Sequence, residues 1–357
     1  MTSLPDVPFT LTRVGVVMTL DPSEPHEADG VLNPASGRMR DGEIYLLPRV
    51  VARGNVSRVG LARVVLDEGV PVGVERQGVV LAPDRRWERG THSAGTEDPR
   101  ATWIPSLGLH VMTYVAFGPL GPHPAVAVSD DLRQWRRLGP IQFQYVDDLD
   151  TDLNLFPNKD VVFFPEIVPD PAGLPSYALL HRPMWDLDWL RPGEEVCLPA
   201  GLTDARPGIW ISYIPARNVS MDITALTRPA DHRILALPEQ SWEELKIGSG
   251  PAPMRVDEGW LLLYHGVAGA LSDDALEPQG DVRYAVGAMI LDSEDPSRVL
   301  ARTRAPLMSP ETDDETIGVV SDVVFPTAIE VIAGHTFVFY GMADTKIGVA
   351  RLERIVT

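Results

Sequence analysis

The segment Gly95-Thr96-Glu97-Asp98-Pro99-Arg100 sets two adjacent carboxylates between a glycine and a proline, and the run Leu109–Phe117 that follows it is largely apolar. Proline fixes its own φ and biases the preceding residue toward extended backbone, so Asp98 is expected to be extended and presented stiffly in one direction. Such stiffness suits a general acid. The plainer reading is an Asp-Pro turn whose charge is paired with Arg100.

Other polar groups stand where an apolar run has no packing reason to end in one. Arg49 closes one run, His181 and Arg182 a second, Tyr264 and His265 a third, and Asp344 follows a fourth. These ends are expected to converge; taken singly, each is a solvated strand end or a satisfied core histidine. Lys246-Ile247-Gly248-Ser249-Gly250-Pro251 offers a point charge followed by glycines that let backbone approach a ligand closely. It lacks the spacing of a phosphate-binding P-loop, so no nucleotide is implied. The 8 histidines show no HExxH or paired-cysteine spacing, and no GxSxG elbow occurs. Neither a metal nor an organic cofactor is expected.

The elements that must position these residues read as strands. After a first strand at Leu11–Leu20 and an acidic, proline-containing loop, apolar runs at Glu43–Val51, Leu109–Phe117, Tyr177–Pro183, Gly259–Val267 and Thr336–Met342 are each followed by a shorter run. The shorter runs are Val59–Val65, Ala125–Ser129, Gly208–Ile214, Ala285–Leu291 and Ile347–Leu352. The repeat, on the order of 60 to 80 residues, is long enough for four strands. It predicts an all-β, five-bladed β-propeller forming a single domain over residues 1–357, the first strand of each blade lining a central channel. Tandem β-sandwiches would also space strands evenly. Helical signals are few; Ser241 offers an N-cap before an acidic turn. An irregular insertion at about 186–206, with Trp185, Trp189 and nearby Trp210, reads either as a lid or sugar-stacking wall or as a packed loop.

Charge narrows the partners. With 31 basic against 50 acidic side chains the formal charge is −19, which repels phosphate backbones and anionic membrane surfaces but suits a neutral sugar. Cys197 is the single cysteine, so no internal disulfide can form. No leader-like segment and no apolar stretch of about 18 residues is present, and a cytoplasmic protein is expected.

Several of these segments, taken together and in order, resemble glycoside hydrolase family 130. They are GTEDPR at 95–100, NKD at 158–160 with FFPE at 163–166, LLHRP at 179–183, KIGSGPAP at 246–253, GWLLLYHGV at 259–267, VVFPTA at 323–328 and YGMADT at 340–345. The resemblance implies a five-bladed propeller that phosphorolyses β-mannosides with inversion, taking inorganic phosphate as co-substrate. By the same resemblance Asp98 is the proton donor, which in this family acts through a hydroxyl of the mannose ring. Arg182, Lys246, His265 and Tyr284 would hold phosphate, and Asn33, Arg49, Arg58, Lys159, Asp160 and Asp344 would bind the sugar. Asp322 stands where the family usually has Asn, and the 186–206 insertion replaces a short turn. The implied partners are a β-mannoside and phosphate, with no nucleic acid or membrane and with room for a homo-oligomer.

Inverting hydrolysis takes an acid and a base, whereas phosphate is already an anionic nucleophile, so a phosphorylase needs one acid and a cationic cradle. A β-mannosidase on the same fold would put carboxylates in place of the cradle, Glu166 and Glu258 being the available acids. A non-catalytic sugar-binding propeller would leave Asp98 as a hydrogen-bonding residue.

Overall fold

The run Trp260–Leu263 is apolar at every position, which a strand supports when both of its faces are buried. The computed structural model describes residues 4–90, 93–187, 192–193, 198–270 and 281–355. In it Leu261 and Leu263 pack with Val338 and Leu352, while their neighbours Trp260, Leu262 and Tyr264 pack with Val162, Phe164 and Ile211. Period-two alternation therefore sends successive apolar residues to two different cores. Each large side chain so buried contributes roughly 1.5–3 kcal/mol.

The fold is all-β, and the longest helix among the described residues is Ala216–Met221. The strands form antiparallel four-stranded units. The first two units are Gly30–Arg38, Ile44–Ala52, Val56–Asp67, Val70–Leu81, and Ala94–Ile104, Leu109–Gly118, Gly121–Ser129, Arg136–Pro140; a short parallel pairing of Ser57 with Gly95 joins them into one sheet. The third is Asn158–Pro169, Pro175–Pro183, Ile209–Pro215, Ala230–Ala236. The fourth runs Lys246–Ser249, Gly259–Ala270, Asp281–Leu291, Val299–Arg302, with Met254–Val256 also paired to Gly259–Ala270. In the last unit the N-terminal strand Phe9–Thr19 pairs with Lys346–Arg354, followed by His335–Met342 and Val324–Ile332. The chain's two ends are thus tied into one sheet.

Apolar clusters join each unit to the next. Leu47 and Leu61 meet Met112 and Tyr114; Val111 and Val126 meet Phe163 and Leu179; and Val31 and Leu46 meet Phe339 and Val349 of the last unit. The apolar runs read from the sequence are the second and third strands of these units. The first strands, Gly30–Arg38, Ala94–Ile104, Asn158–Pro169, Lys246–Ser249 and Val324–Ile332, were not expected to be separate elements, because bulges and prolines interrupt their patterns. The runs read as the first strand of each blade are therefore second strands, each preceded by a further strand.

Ser241–Glu243 is a single 3-10 turn whose N-cap is Gln240. Trp185 and Trp210 are 1% exposed and meet edge to face at 5.8 Å in the core, so neither is a sugar-stacking wall. Residues 188–191 of the insertion, Trp189 among them, and 194–197 lie outside the described residues. No helix among the described residues is long and apolar enough to cross a membrane.

Candidate active site

Three first strands break their pairing at one equivalent place. The register shifts between Leu32 and Ala35, between Glu97 and Arg100, and between Lys159 and Val162. Asn33, Asp98 and Asp160 occupy these bulges with φ of 41°, 44° and 55°. Asn and Asp tolerate the left-handed region better than most residues, and a bulge re-aims the side chain it carries. Asp98 is therefore left-handed rather than extended, and it sits inside a strand rather than in a turn. All three residues line one cavity of about 870 Å³. Asp344, in the turn before Lys346–Arg354, joins them with φ 53°.

Asp98 is fixed by two donors on one oxygen: Asn33 Nδ2 at 2.9 Å and Arg49 NH1 at 3.2 Å both reach Oδ1. Oδ2 has no hydrogen bond among the described residues. Arg49 is itself locked, donating NH2 to Glu97 at 2.9 Å and Nε to Ser57 Oγ at 2.9 Å. Burial opposes the charge on Asp98, but Arg49, Lys159 and Arg100, with the Asn33 hydrogen bond, outweigh it and hold the carboxyl below the usual range. For Asp344 the balance is reversed. Burial, resisted by Arg49 and reinforced by Asp98 and Glu97, pushes it up to about 6.

Arg182, Arg100 and His265 gather around Asp160, and of these Arg182 and His265 line the same cavity. Arg182 Nε donates to Asp160 Oδ2 at 2.6 Å, Arg100 NH2 lies 3.8 Å from Oδ1, and His265 Nε2 lies 3.6 Å from Oδ2. Burial opposes ionisation of Asp160, yet Arg182, His265 and Arg100 hold its carboxyl far below the usual range, so it is a carboxylate. One carboxylate does not satisfy this group. Arg182 NH1, Arg100 NH2 and both ring nitrogens of His265 are buried with no hydrogen-bond partner. Burial together with repulsion from Arg182 and Lys159, partly offset by Asp160, lowers Lys246 to about 7. Burial also pushes His265 down to about 3, so its imidazole is neutral at neutral pH and offers a single N–H. Tyr284, its phenol pushed up by burial, stands 5.7 Å from Lys246 Nζ.

Of the residues singled out in the sequence, Asn33, Arg49, Asp98, Lys159, Asp160, Arg182, Lys246, His265, Tyr284 and Asp344 line this cavity. Arg58 does not; its NH1 donates to Val56 O at 3.2 Å. His181 and Tyr264 turn away, because neighbours on a strand point to opposite faces and Arg182 and His265 take the inward positions. Tyr264 instead donates to Glu243 at 2.5 Å. Arg100 pairs with Asp160 rather than with Asp98. Glu166 lines a second cavity, of about 710 Å³, and pairs with Arg255, while Glu258 pairs with Arg354. Phe117, Met184, Val323 and Phe325 form an apolar wall that sequence reading missed. The bulges themselves had a signal: proline stands at the breaks of three first strands, as Asn33-Pro34, Asp98-Pro99 and Pro326-Thr327.

Gly248 is there for closeness to protein groups. A Cβ at this position would lie 2.2 Å from Asp160 Oδ2 and 2.5 Å from His265 Cε1. Gly248→Ala is therefore expected to cost about 1–3 kcal/mol of stability by overpacking. It should also weaken anion binding at the cations. Denaturant unfolding checks the first effect, and an unchanged midpoint would show that the Asp160–His265 contact is looser than described.

A family model described as beta-1,4-mannooligosaccharide phosphorylase, of glycoside hydrolase family 130, matches residues 220–357. A 1,2-beta-oligomannan phosphorylase of Thermoanaerobacter sp. (strain X514) is 32% identical over 72% of this chain and 68% of its own length. Among solved structures, a beta-1,2-mannobiose phosphorylase of Listeria innocua in complex with beta-1,2-mannobiose superposes with a TM-score of 0.68 at 22% identity, covering 97% of each chain. Another, from work on family members that hydrolyse beta-1,2 mannosidic linkages of Candida mannan, gives 0.71 at 21% identity over 98% of this chain and 95% of its own.

Proposed function

The chain belongs to glycoside hydrolase family 130, and from that premise we propose that it is an inverting β-mannoside phosphorylase, transferring a β-mannosyl group to inorganic phosphate. The observation that carries this is the buried, unpartnered nitrogens of Arg182 and His265, two residues that line the cavity together with Lys246 and the acid Asp98. Buried donors left unsatisfied are costly, and a phosphate offers the oxygens they lack. A hydrolase would need a second carboxylate to activate water; Asp160 is taken up by Arg182 and Arg100, and Asp344, the other carboxyl of the cavity, belongs in this reading to the sugar with Arg49.

In this reading the sugar lies between Asn33, Arg49, Asp98 and Asp344, with phosphate on the far side of its anomeric carbon. A phosphate oxygen attacks that carbon as the glycosidic bond breaks. The proton of Asp98 passes to the leaving oxygen through a ring hydroxyl, and α-mannose 1-phosphate is released. Asp98 is ionised in the empty site. Phosphate adds negative charge and the sugar removes water, and both raise its proton affinity, so the acid is loaded when both substrates are present. No cofactor beyond phosphate enters the step.

The scaffold in this reading is a single five-bladed propeller, the five units being blades around an axis on which the bulged first strands stand. The succession of apolar clusters from each unit to the next, and from the last to the first, supports it. A phosphate-fed reaction and a single cysteine suit the cytoplasm.

Incubating the protein with β-mannobioses of each linkage, with and without phosphate, tests the activity. Mannose 1-phosphate formed only with phosphate supports the phosphorylase, and free mannose in both arms supports a hydrolase. The pH response follows from Lys246. The lysine is charged below about 7 and loses its proton above, so at higher pH phosphate binding must bring a proton with it. The phosphate KM is expected to rise above pH 7, by up to about tenfold per pH unit. Lys246→Arg, which stays charged, should flatten the curve and also corrects for phosphate's own ionisation. Superimposable profiles for the two proteins would remove Lys246 from the phosphate site.

A further inference from the structure

Ser212 stands at the middle of a buried line of hydrogen bonds, no member of which touches the cavity until its last link. Asn158 Nδ2 lies 3.0 Å from His181 Nδ1, His181 Nε2 2.8 Å from Ser212 Oγ, Ser212 Oγ 2.7 Å from His232 Nδ1, and His232 Nε2 2.8 Å from Gln144 O. His181 and Ser212 are fully buried, and His232 is 6% exposed.

The protons along this line have one consistent assignment. The Gln144 carbonyl can only accept, so His232 carries its proton on Nε2 and accepts at Nδ1 from the Ser212 hydroxyl. Ser212, its own proton spent, accepts from His181 Nε2–H, and His181 Nδ1 then accepts from the Asn158 amide. That direction forces the Asn158 carbonyl the other way, where Oδ1 accepts from Arg182 N at 3.1 Å. Burial pushes both histidines below their ordinary range, which keeps them neutral as the assignment requires.

We propose that His181, Ser212 and His232 are positioning residues that orient Asn158 and through it hold Arg182, so that the line's effect appears in phosphate use rather than in sugar use. The inference rests on the phosphorylase reading above. Arg182 is where the line reaches the site: its backbone N–H is held by Asn158, its guanidinium binds Asp160 with NH1 left unpartnered, and the residue lines the cavity. A misdirected Asn158 amide would set an N–H against an N–H at Arg182 and loosen the strand end that carries it.

The test uses the full chain and its Ser212→Ala, His181→Asn and His181→Gln variants, with initial rates measured against phosphate and against a β-mannobiose turned over by the wild type. Ser212→Ala is expected to raise the phosphate KM about 3- to 10-fold, with mannoside KM and kcat within about twofold. His181→Asn can place an oxygen where Nδ1 accepts from Asn158, and should stay near the wild type. His181→Gln reaches only the Ser212 side and should behave like Ser212→Ala. Equal effects of the two His181 variants, or a parallel rise of both KM values with a lower melting temperature, would reduce the line to a structural role, whether or not Ser212→Ala folds. An unmoved phosphate KM in Ser212→Ala, with a phosphate-dependent wild type, overturns this inference alone; a wild type indifferent to phosphate overturns the phosphorylase reading itself.

Discussion

Replacing Asp98 by asparagine is expected to lower turnover about 10²- to 10⁴-fold while leaving the fold intact. The geometry explains both halves. Asn33 Nδ2 and Arg49 NH1 donate to the same atom, Oδ1, and an asparagine oxygen there keeps both bonds. Arg49 also retains Glu97 and Ser57 as partners, so no buried cation is stranded. Oδ2, which has no hydrogen bond among the described residues, becomes an amide that cannot give up a proton at a useful pKa. Sugar binding should survive, because the residues around it are unmoved. The check pairs kcat with the melting temperature and with calorimetric binding of a β-mannobiose. Near-normal kcat would demote Asp98 to a sugar-binding residue, and a collapsed melting temperature would mean that its charge is structural.

The second expected result is a split between phosphate and sugar in variants of the cationic group. Lys246→Ala should weaken phosphate use about 10- to 150-fold, the worth of one charged hydrogen bond of roughly 1.5–3 kcal/mol. His265→Ala should do less, about 2- to 13-fold, because burial keeps its ring neutral and it donates a neutral bond of roughly 0.5–1.5 kcal/mol. In both, the phosphate KM should rise more than the mannoside KM. Lys246 also carries a stability signature. A buried cation hemmed by Arg182 and Lys159 disfavours the folded state, so Lys246→Met should raise the melting temperature of the ligand-free protein while disabling phosphate use. The folded lysine gives up its proton near 7 and the unfolded one near 10.5, so wild-type stability should climb with pH across that window and the variant's should not. Mannoside turnover equal with and without phosphate in the wild type would sink the whole assignment.

By itself the sequence determined the strands that are buried on both faces, since a run such as Trp260–Leu263 has few other ways to hide every side chain. It also determined the chemistry on offer: an acid beside a proline, a lysine before glycines, and arginine and histidine at strand ends, in an order that matches one family. What it could not show was the first strands, because a bulge breaks the period on which strand reading depends, and the residues that matter are the bulged ones. Left-handed Asn33, Asp98 and Asp160 come from three units far apart in the chain, and only the packing of those units onto one cavity makes them a site. The tertiary structure likewise decided which of two adjacent residues serves. His181 and Arg182 look equally eligible in the sequence, but a strand turns one to each face, so one becomes part of a buried hydrogen-bond line and the other reaches the cavity. Charge state was decided there too. The same folding that gathers Arg182, Arg100, Lys246 and His265 around Asp160 removes their water, and it is desolvation that leaves His265 neutral, lowers Lys246 and raises Asp344.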